Sequence, residues 1–175
     1  GAKCRKMIRR VLRINPQLTV IVAGCYAQVG VEELEEIPGI DYMLGTAEKH
    51  RVFDYVSSPG KRTVPMVRAA PFTGSEKAVS CLGTYRAMSR AVVKIQSGCS
   101  NRCSYCIVPL ARGPVRSVRE KEIVSQINTH IRNGFEEIVL TGVHIGDYGK
   151  DISGESRLPA LLRSIIALPG LGRIR

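Results

Sequence analysis

The chain has 175 residues, of which 44% are hydrophobic and 23% are charged, an ordinary balance for a globular protein. A chain of this length forms one domain or two small ones. No apolar run approaches the ~18 residues that span a bilayer, and the first residues lack the apolar stretch of a signal peptide. We therefore expect a cytoplasmic protein without membrane contact. In that reducing compartment, the six cysteines are expected to serve metal binding or catalysis rather than disulfides.

The formal net charge of +11 is concentrated in one segment of the chain. Between residues 77 and 119 there is no Asp or Glu, but there are eight basic residues: Lys77, Arg86, Arg90, Lys94, Arg102, Arg112, Arg116 and Arg119. Such a field attracts a polyanion through phosphate contacts and counterion release. A solvated surface balanced by an acidic neighbour is the alternative interpretation. Because the basic residues surround a cysteine motif, we favour nucleic acid.

Residues 1–57 alternate between helical and strand patterns, which predicts part of an α/β domain. The apolar run LTVIVA is typical of a strand that is buried on both faces of a parallel sheet. The predicted elements are an amphipathic helix over 2–14, strands over 18–23 and 41–44, a short helix near 31–36, and a helix over 47–56 capped by Thr46. Residues 58–89, which contain several Pro and Gly, are interpreted as a linker with one extended stretch at 63–67.

Residues 90–175 predict a second α/β pattern. Its elements are strands over 91–96 and 137–141, a helix over 118–132 opened by Ser117 and Glu120 and closed by Asn133 and Gly134, a helix over 159–168, and a third strand near Arg173. Two βα units cannot close an eight-stranded barrel. We therefore expect the chain to be an interior fragment of a longer protein, inactive by itself.

Cys99, Cys103 and Cys106 form a C-x3-C-x2-C motif directly after the first strand of this second pattern. Three thiolates can hold metal, but a closed zinc site or an all-cysteine cluster takes four ligands. The nearest further candidates, Cys81 and His130, are distant in sequence, so one coordination position is left open. A structural zinc loop and a disulfide-linked turn are the alternatives.

This spacing, with the aromatic Tyr105 before the last cysteine, resembles the signature of the radical S-adenosylmethionine (SAM) superfamily. The resemblance implies that the three cysteines ligate a 4Fe-4S cluster whose fourth iron binds SAM, and that an electron from the cluster cleaves SAM to a 5'-deoxyadenosyl radical. It also implies that the backbone after the second strand, at Thr141 and Gly142, contacts the methionine end of SAM, with Tyr105 on the cysteine loop nearby.

Four segments together, GCYAQ, IPGIDYMLGT, SGCSNRCSYCIVPLARG and LTGVHIGDYG, resemble the radical SAM methylthiotransferases in order and spacing. The resemblance implies an N-terminal domain with an auxiliary 4Fe-4S cluster, a TIM-like radical SAM barrel, and a C-terminal RNA-binding β domain. Cys25 matches the third auxiliary ligand, and the first two are expected upstream of Gly1. Cys4 and Cys81 match no ligand position.

The TGVHIGDYG segment is more similar to the branch that methylthiolates threonylcarbamoyladenosine in tRNA than to the isopentenyladenosine or ribosomal-protein branches. The implied reaction places a methylthio group on carbon 2 of the adenosine next to the anticodon. The implied partners are the tRNA anticodon stem-loop and an electron donor such as flavodoxin or ferredoxin, with the enzyme as a monomer. The competing class is a non-enzymatic zinc module that binds nucleic acid.

Three residues are candidate substrate contacts. Arg112 and Arg116 flank Gly113 just beyond the cysteine loop, and His144 follows the second strand, where a proton-transfer role and a purely structural hydrogen bond are further interpretations. His50 and His130 are expected to be ordinary surface residues.

Overall fold

In the computed structural model, which describes residues 1–56, 60–73 and 90–175, the chain forms two compact units. The first comprises Gly1–Gly74 and Cys103–Gly113, and the second comprises Ser75–Arg102 and Pro114–Arg175. Each unit contains a three-stranded parallel sheet, so the predicted α/β class is confirmed. None of the sheets in the described residues closes into a barrel.

The sheet of the first unit has the order β1-β2-β3, with all strands parallel. The strands are β1 (Ile21–Ala23), β2 (Tyr42–Leu44) and β3 (Met66–Arg68). The helices are α1 (Ala2–Ile14), α2 (Cys25–Val29), α3 (Val31–Glu35), α4 (Val52–Val56) after a 3₁₀ turn at Lys49–Arg51, and α5 (Val108–Arg112). The core packs α1, α2 and α3 against the sheet through Ile8, Val22, Ala27, Leu34, Ile37, Ile40 and Met43.

The sheet of the second unit has the order β4-β7-β8 and is also parallel. Its strands are β4 (Arg90–Lys94), β7 (Glu137–Thr141) and β8 (Arg173–Ile174), and a separate antiparallel pair is formed by β5 (Gln96–Ser97) and β6 (Arg116–Ser117). The helices are α6 (Glu120–Arg132), α7 (Lys150–Ser153) after a 3₁₀ turn at Ile145–Asp147, and α8 (Leu158–Ile166). Apolar residues of α6 and α8, among them Ile123, Ile127, Leu161 and Ile165, cover Val93 and Ile138 of the sheet.

The compact units divide the chain differently from the expected domains. Residues 66–68, expected to lie in a linker, form the third strand of the first sheet. The segment Cys103–Gly113, expected to belong with residues 90–175, clusters with the first unit. The remainder of the expected linker, with Cys81, lies largely outside the described residues.

Two expected helix caps are wrong, and in both cases a tertiary hydrogen bond occupies the hydroxyl. Thr46 Oγ1 donates to the Ala111 carbonyl at 2.6 Å. Ser117 Oγ donates to Asp151 Oδ1 at 2.6 Å, and α6 begins at Glu120, later than predicted and without a side-chain cap.

The expectation that His130 is a surface residue is also wrong. Its side chain is fully buried on α6, in edge contact with the Phe135 ring at 5.6 Å between centroids. Neither ring nitrogen has a hydrogen-bond partner among the described residues. Burial lowers the pKa of His130, so the imidazole is held neutral. No helix in the described part of the chain is long and apolar enough to cross a membrane.

Candidate cluster-binding and cofactor-binding sites

The three motif cysteines are all free thiols and lie in the segment between β5 and α5. Cys103 is exposed, whereas Cys99 and Cys106 are partly buried. A turn joins the last two, because the Cys106 amide donates to the Cys103 carbonyl at 3.0 Å. Cys99 belongs to the second unit, and Cys103 and Cys106 belong to the first. Within the described residues, no group of three or more His, Cys, Asp or Glu side chains is gathered closely enough to hold a metal ion.

The chemistry of this donor set nevertheless fits an iron-sulfur cluster. Thiolates are the ligands that such clusters take, and all three sulfurs are free of disulfides. No carboxylate or imidazole lies between Cys99 and Cys106 in the sequence to favour a hard metal ion. Tyr105 is 89% exposed, so its ring is accessible to a ligand at this loop. The assignment of these residues to the cluster and to SAM remains a prediction.

Gln96 connects the start of the cysteine motif to the loop after β7. Its buried side chain accepts hydrogen bonds at Oε1 from the amides of Val143 and His144, at 2.9 and 3.0 Å. Its Nε2 donates to the carbonyls of Ser97 and Gly98, at 3.0 and 2.7 Å. One side chain thereby fixes the backbone at the carboxyl ends of two strands, where ligands bind in parallel α/β sheets.

Gly142 permits this close packing. A Cβ atom at position 142 would lie 2.9 Å from Gln96 Oε1 and 2.8 Å from Cγ2 of Ile145, closer than real Cβ contacts. The glycine predicted for close backbone approach therefore has a structural reason within the second unit. Sequence reasoning missed Gln96, although a polar residue at the end of an apolar strand and directly before a ligand motif is a readable signal.

His144 is held by a neighbouring carboxylate. Its Nδ1 lies 2.9 Å from Asp147 Oδ2, and Lys150 Nζ donates to Asp147 Oδ1 at 2.6 Å. The Lys150 hydrogen bond, with help from His144, outweighs burial and keeps the pKa of Asp147 below its usual value. The imidazole is 49% exposed, so one nitrogen is fixed while much of the ring faces solvent. The structural hydrogen bond is present, and the role as a substrate contact stays a prediction.

Cys25 lies at the carboxyl end of β1 and opens α2. Gly24 precedes it with φ of 105°, a conformation that favours glycine, and this turn directs the chain from the strand into the helix. Nε of Arg112 donates to the Cys25 sulfur at 3.3 Å. Burial alone would raise the pKa of the Cys25 thiol, but Arg112, Thr46 and Lys49 together lower it below the usual value. The surroundings thus favour a thiolate, the form in which cysteine binds metal.

The helix that carries Arg112 is anchored independently of that contact. Thr46 Oγ1 donates to the buried Ala111 carbonyl, and Gly113, with φ of 72°, has backbone space that the Phe72 ring would deny to a side chain. The backbone of Arg112 is therefore fixed on both sides within the first unit.

The two arginines expected to bind substrate occupy different environments. Arg112 of α5 is beside Cys25 in the first unit, whereas Arg116 of β6 lies in the second unit with only 8% exposure. Their positions flanking Gly113 in sequence do not place them on a common exposed surface within either unit.

Comparison with known proteins places this arrangement in a family. Residues 93–170 match the radical SAM superfamily. The chain is 34% identical to the threonylcarbamoyladenosine tRNA methylthiotransferase MtaB of Bacillus subtilis over 174 residues, which cover 99% of this chain and 39% of that protein. It is 34% identical to the ribosomal protein uS12 methylthiotransferase RimO of Thermodesulfovibrio yellowstonii, covering 86% and 33%. It is 31% identical to the tRNA-2-methylthio-N(6)-dimethylallyladenosine synthase of Carboxydothermus hydrogenoformans, covering 96% and 39%.

The fold and the cysteine motif thus define a radical SAM protein. Across nearly its whole length the chain is a homologue of the radical SAM methylthiotransferases, and the resemblance predicted from sequence is confirmed. The chain spans about two fifths of the length of the curated relatives it matches, with 39% and 40% for two of them.

Proposed function

We propose that the complete gene product is a radical SAM methylthiotransferase that acts on tRNA. The observation that carries this proposal is the similarity to such enzymes over 99% of the chain, which includes both Cys25 and the three-cysteine motif.

The residues have separate roles in this proposal. Cys99, Cys103 and Cys106 would hold a 4Fe-4S cluster that, when bound, supplies the electron for cleavage of SAM. Gln96 and Gly142 keep the backbone after β7 in place for the methionine end of SAM. Cys25 would ligate a second, auxiliary cluster whose other ligands lie outside this chain.

The finer proposal is that the substrate is threonylcarbamoyladenosine next to the anticodon, methylthiolated at carbon 2. Its support is that several similar relatives carry that name, together with the TGVHIGDYG segment. The basic residues between 77 and 119 suit a tRNA partner, and a flavodoxin or ferredoxin would supply electrons.

Metal analysis tests the enzyme class. The complete gene product, reconstituted anaerobically, should bind iron and sulfide in equal amounts, about four of each per cluster. Replacing Cys103 with Ala should remove one cluster, whereas Cys4→Ala should remove none, because Cys4 packs into the apolar core of the first unit. One zinc per chain and no sulfide would refute the proposal in favour of a zinc module.

Nucleoside analysis tests the substrate. Mass spectrometry of digested tRNA from a strain that lacks the gene should show threonylcarbamoyladenosine without its methylthio derivative, and the gene should restore it. Loss of the methylthio group from isopentenyladenosine or from ribosomal protein uS12 would instead identify one of the other two branches.

A further inference from the structure

The contact between Arg112 and Cys25 is the basis of a further inference. Arg112 Nε donates its hydrogen to the Cys25 sulfur at 3.3 Å, within the normal range for a hydrogen bond to sulfur. Both residues belong to the first unit. The arginine comes six positions after Cys106, so the segment that ends the three-cysteine motif also supplies the partner of the cysteine in the other candidate site.

The contact is not required to hold α5 in place. Ala111 is anchored through its carbonyl by Thr46, and Gly113 packs closely against Phe72, so the backbone on each side of Arg112 has its own support. A side chain that only filled space could be apolar here. Instead, a permanently charged guanidinium is directed at the one sulfur that the sequence resemblance assigns to the auxiliary cluster.

Hydrogen bonds to ligand sulfurs are among the factors that set the potential of iron-sulfur clusters. When such a cluster is reduced, it gains one electron and its sulfurs become more negative, while no bond forms or breaks and no proton is needed. A cationic donor therefore stabilises the reduced form more than the oxidised form. The consequence is a higher reduction potential than the same cluster would have without the donor.

We propose that Arg112 is a positioning residue that orients the Cys25 thiolate and raises the reduction potential of the auxiliary cluster. This proposal rests on the proposed function, because it needs Cys25 to be a cluster ligand. It gives Arg112 a role at the cluster rather than at the RNA.

The test uses the complete gene product in which Cys99, Cys103 and Cys106 are replaced by Ala, so that only the auxiliary cluster remains. The cluster is titrated anaerobically with dithionite, and the reduced form is followed by electron paramagnetic resonance. R112Q removes the charge, and R112K keeps a charge without the guanidinium geometry. R119Q is the matched control, since Arg119 is an exposed arginine of the same basic segment in the second unit.

In R112Q the ratio of reduced to oxidised cluster at a fixed potential should fall about tenfold, which is ~59 mV for a one-electron couple. R112K should shift in the same direction by less, and R119Q should match the parent. Equal midpoints for R112Q and the parent, at equal iron content, would overturn the proposal. If R112Q does not retain the cluster, R112K decides, and an unchanged midpoint there has the same consequence.

A failure of the proposed function looks different. If the parent with three cysteines replaced binds no iron or sulfide, or if its cluster survives Cys25→Ala, then Cys25 is not a ligand and the premise fails before Arg112 is tested. The salt dependence of tRNA binding supplies an independent readout. R112Q should leave it unchanged if Arg112 serves the cluster, and a lowered salt slope with an unshifted midpoint would assign Arg112 to RNA instead.

Discussion

Replacing Gln96 with Leu should destabilise the second unit and release the loop that follows β7. The side chain makes four hydrogen bonds, all to backbone groups: the amides of Val143 and His144 and the carbonyls of Ser97 and Gly98. Leucine fills a similar volume but pairs with none of these groups. The substitution therefore isolates the polar contribution of Gln96 from its packing.

The magnitude follows from which groups remain dry. The two carbonyls belong to buried residues, and each buried group left unpaired costs ~1–3 kcal/mol. The two amides are only partly buried, so water can replace part of the hydrogen bonding that they give up. The gain from a more apolar side chain offsets some of the cost. We expect the free energy of unfolding to fall by about 3 kcal/mol.

Urea denaturation followed by circular dichroism measures the stability, and hydrogen exchange locates the effect. In Gln96→Leu the amides of Val143 and His144 should lose protection from exchange before the rest of the unit does. Gln17→Leu is the matched control, because Gln17 is exposed and the change should cost less than about 0.5 kcal/mol. Unchanged protection of both amides, with stability within that margin, would refute the role assigned to Gln96.

Three further predictions concern buried and basic groups. Because burial lowers the pKa of His130, the unfolded chain takes up the proton first, so stability should fall as pH drops below about 6.5; His130→Leu should weaken this dependence in urea titrations at about pH 7.5 and 5.5. Asp41, fully buried and bonded to Lys61 and to two backbone amides, should cost about 3 kcal/mol of unfolding free energy when changed to Ala, measured by the same denaturation. Changing the exposed Arg102 and Arg119 together to Gln should reduce the salt slope of tRNA binding by about 0.7 for each phosphate that is no longer neutralised, and an unchanged slope would remove both from the interface.

The long periodic elements were predictable, because local sequence determines their burial pattern. The apolar spacing in α1 predicted 2–14, and the structure has Ala2–Ile14. The strand predicted at 137–141 is β7, Glu137–Thr141. The five-residue helices α2 and α5 were missed, since one turn and a half is too short to show a period.

His130 shows a signal that was present but not used. Ile123 and Ile127 were correctly placed on the buried face of α6, and residue 130 follows at the same helical spacing. A histidine at such a position is read as polar and therefore exposed. The helix geometry outweighed that preference, and the Phe135 ring provides an aromatic edge contact for the imidazole.

Charge in a sequence identifies a partner class without identifying which charges meet it. Arg112 and Arg116 were assigned together to RNA because they share a basic segment and flank one glycine. In the folded chain the first donates to a thiol and the second is buried at 8% exposure, so neither presents a fully open guanidinium. The exposed Arg102 and Arg119 belong to the same segment and keep their charges in solvent. A basic segment beside a metal-binding motif can therefore divide its charges between two tasks, since an anionic cluster and a phosphate backbone attract the same side chain, and only packing decides which one it reaches.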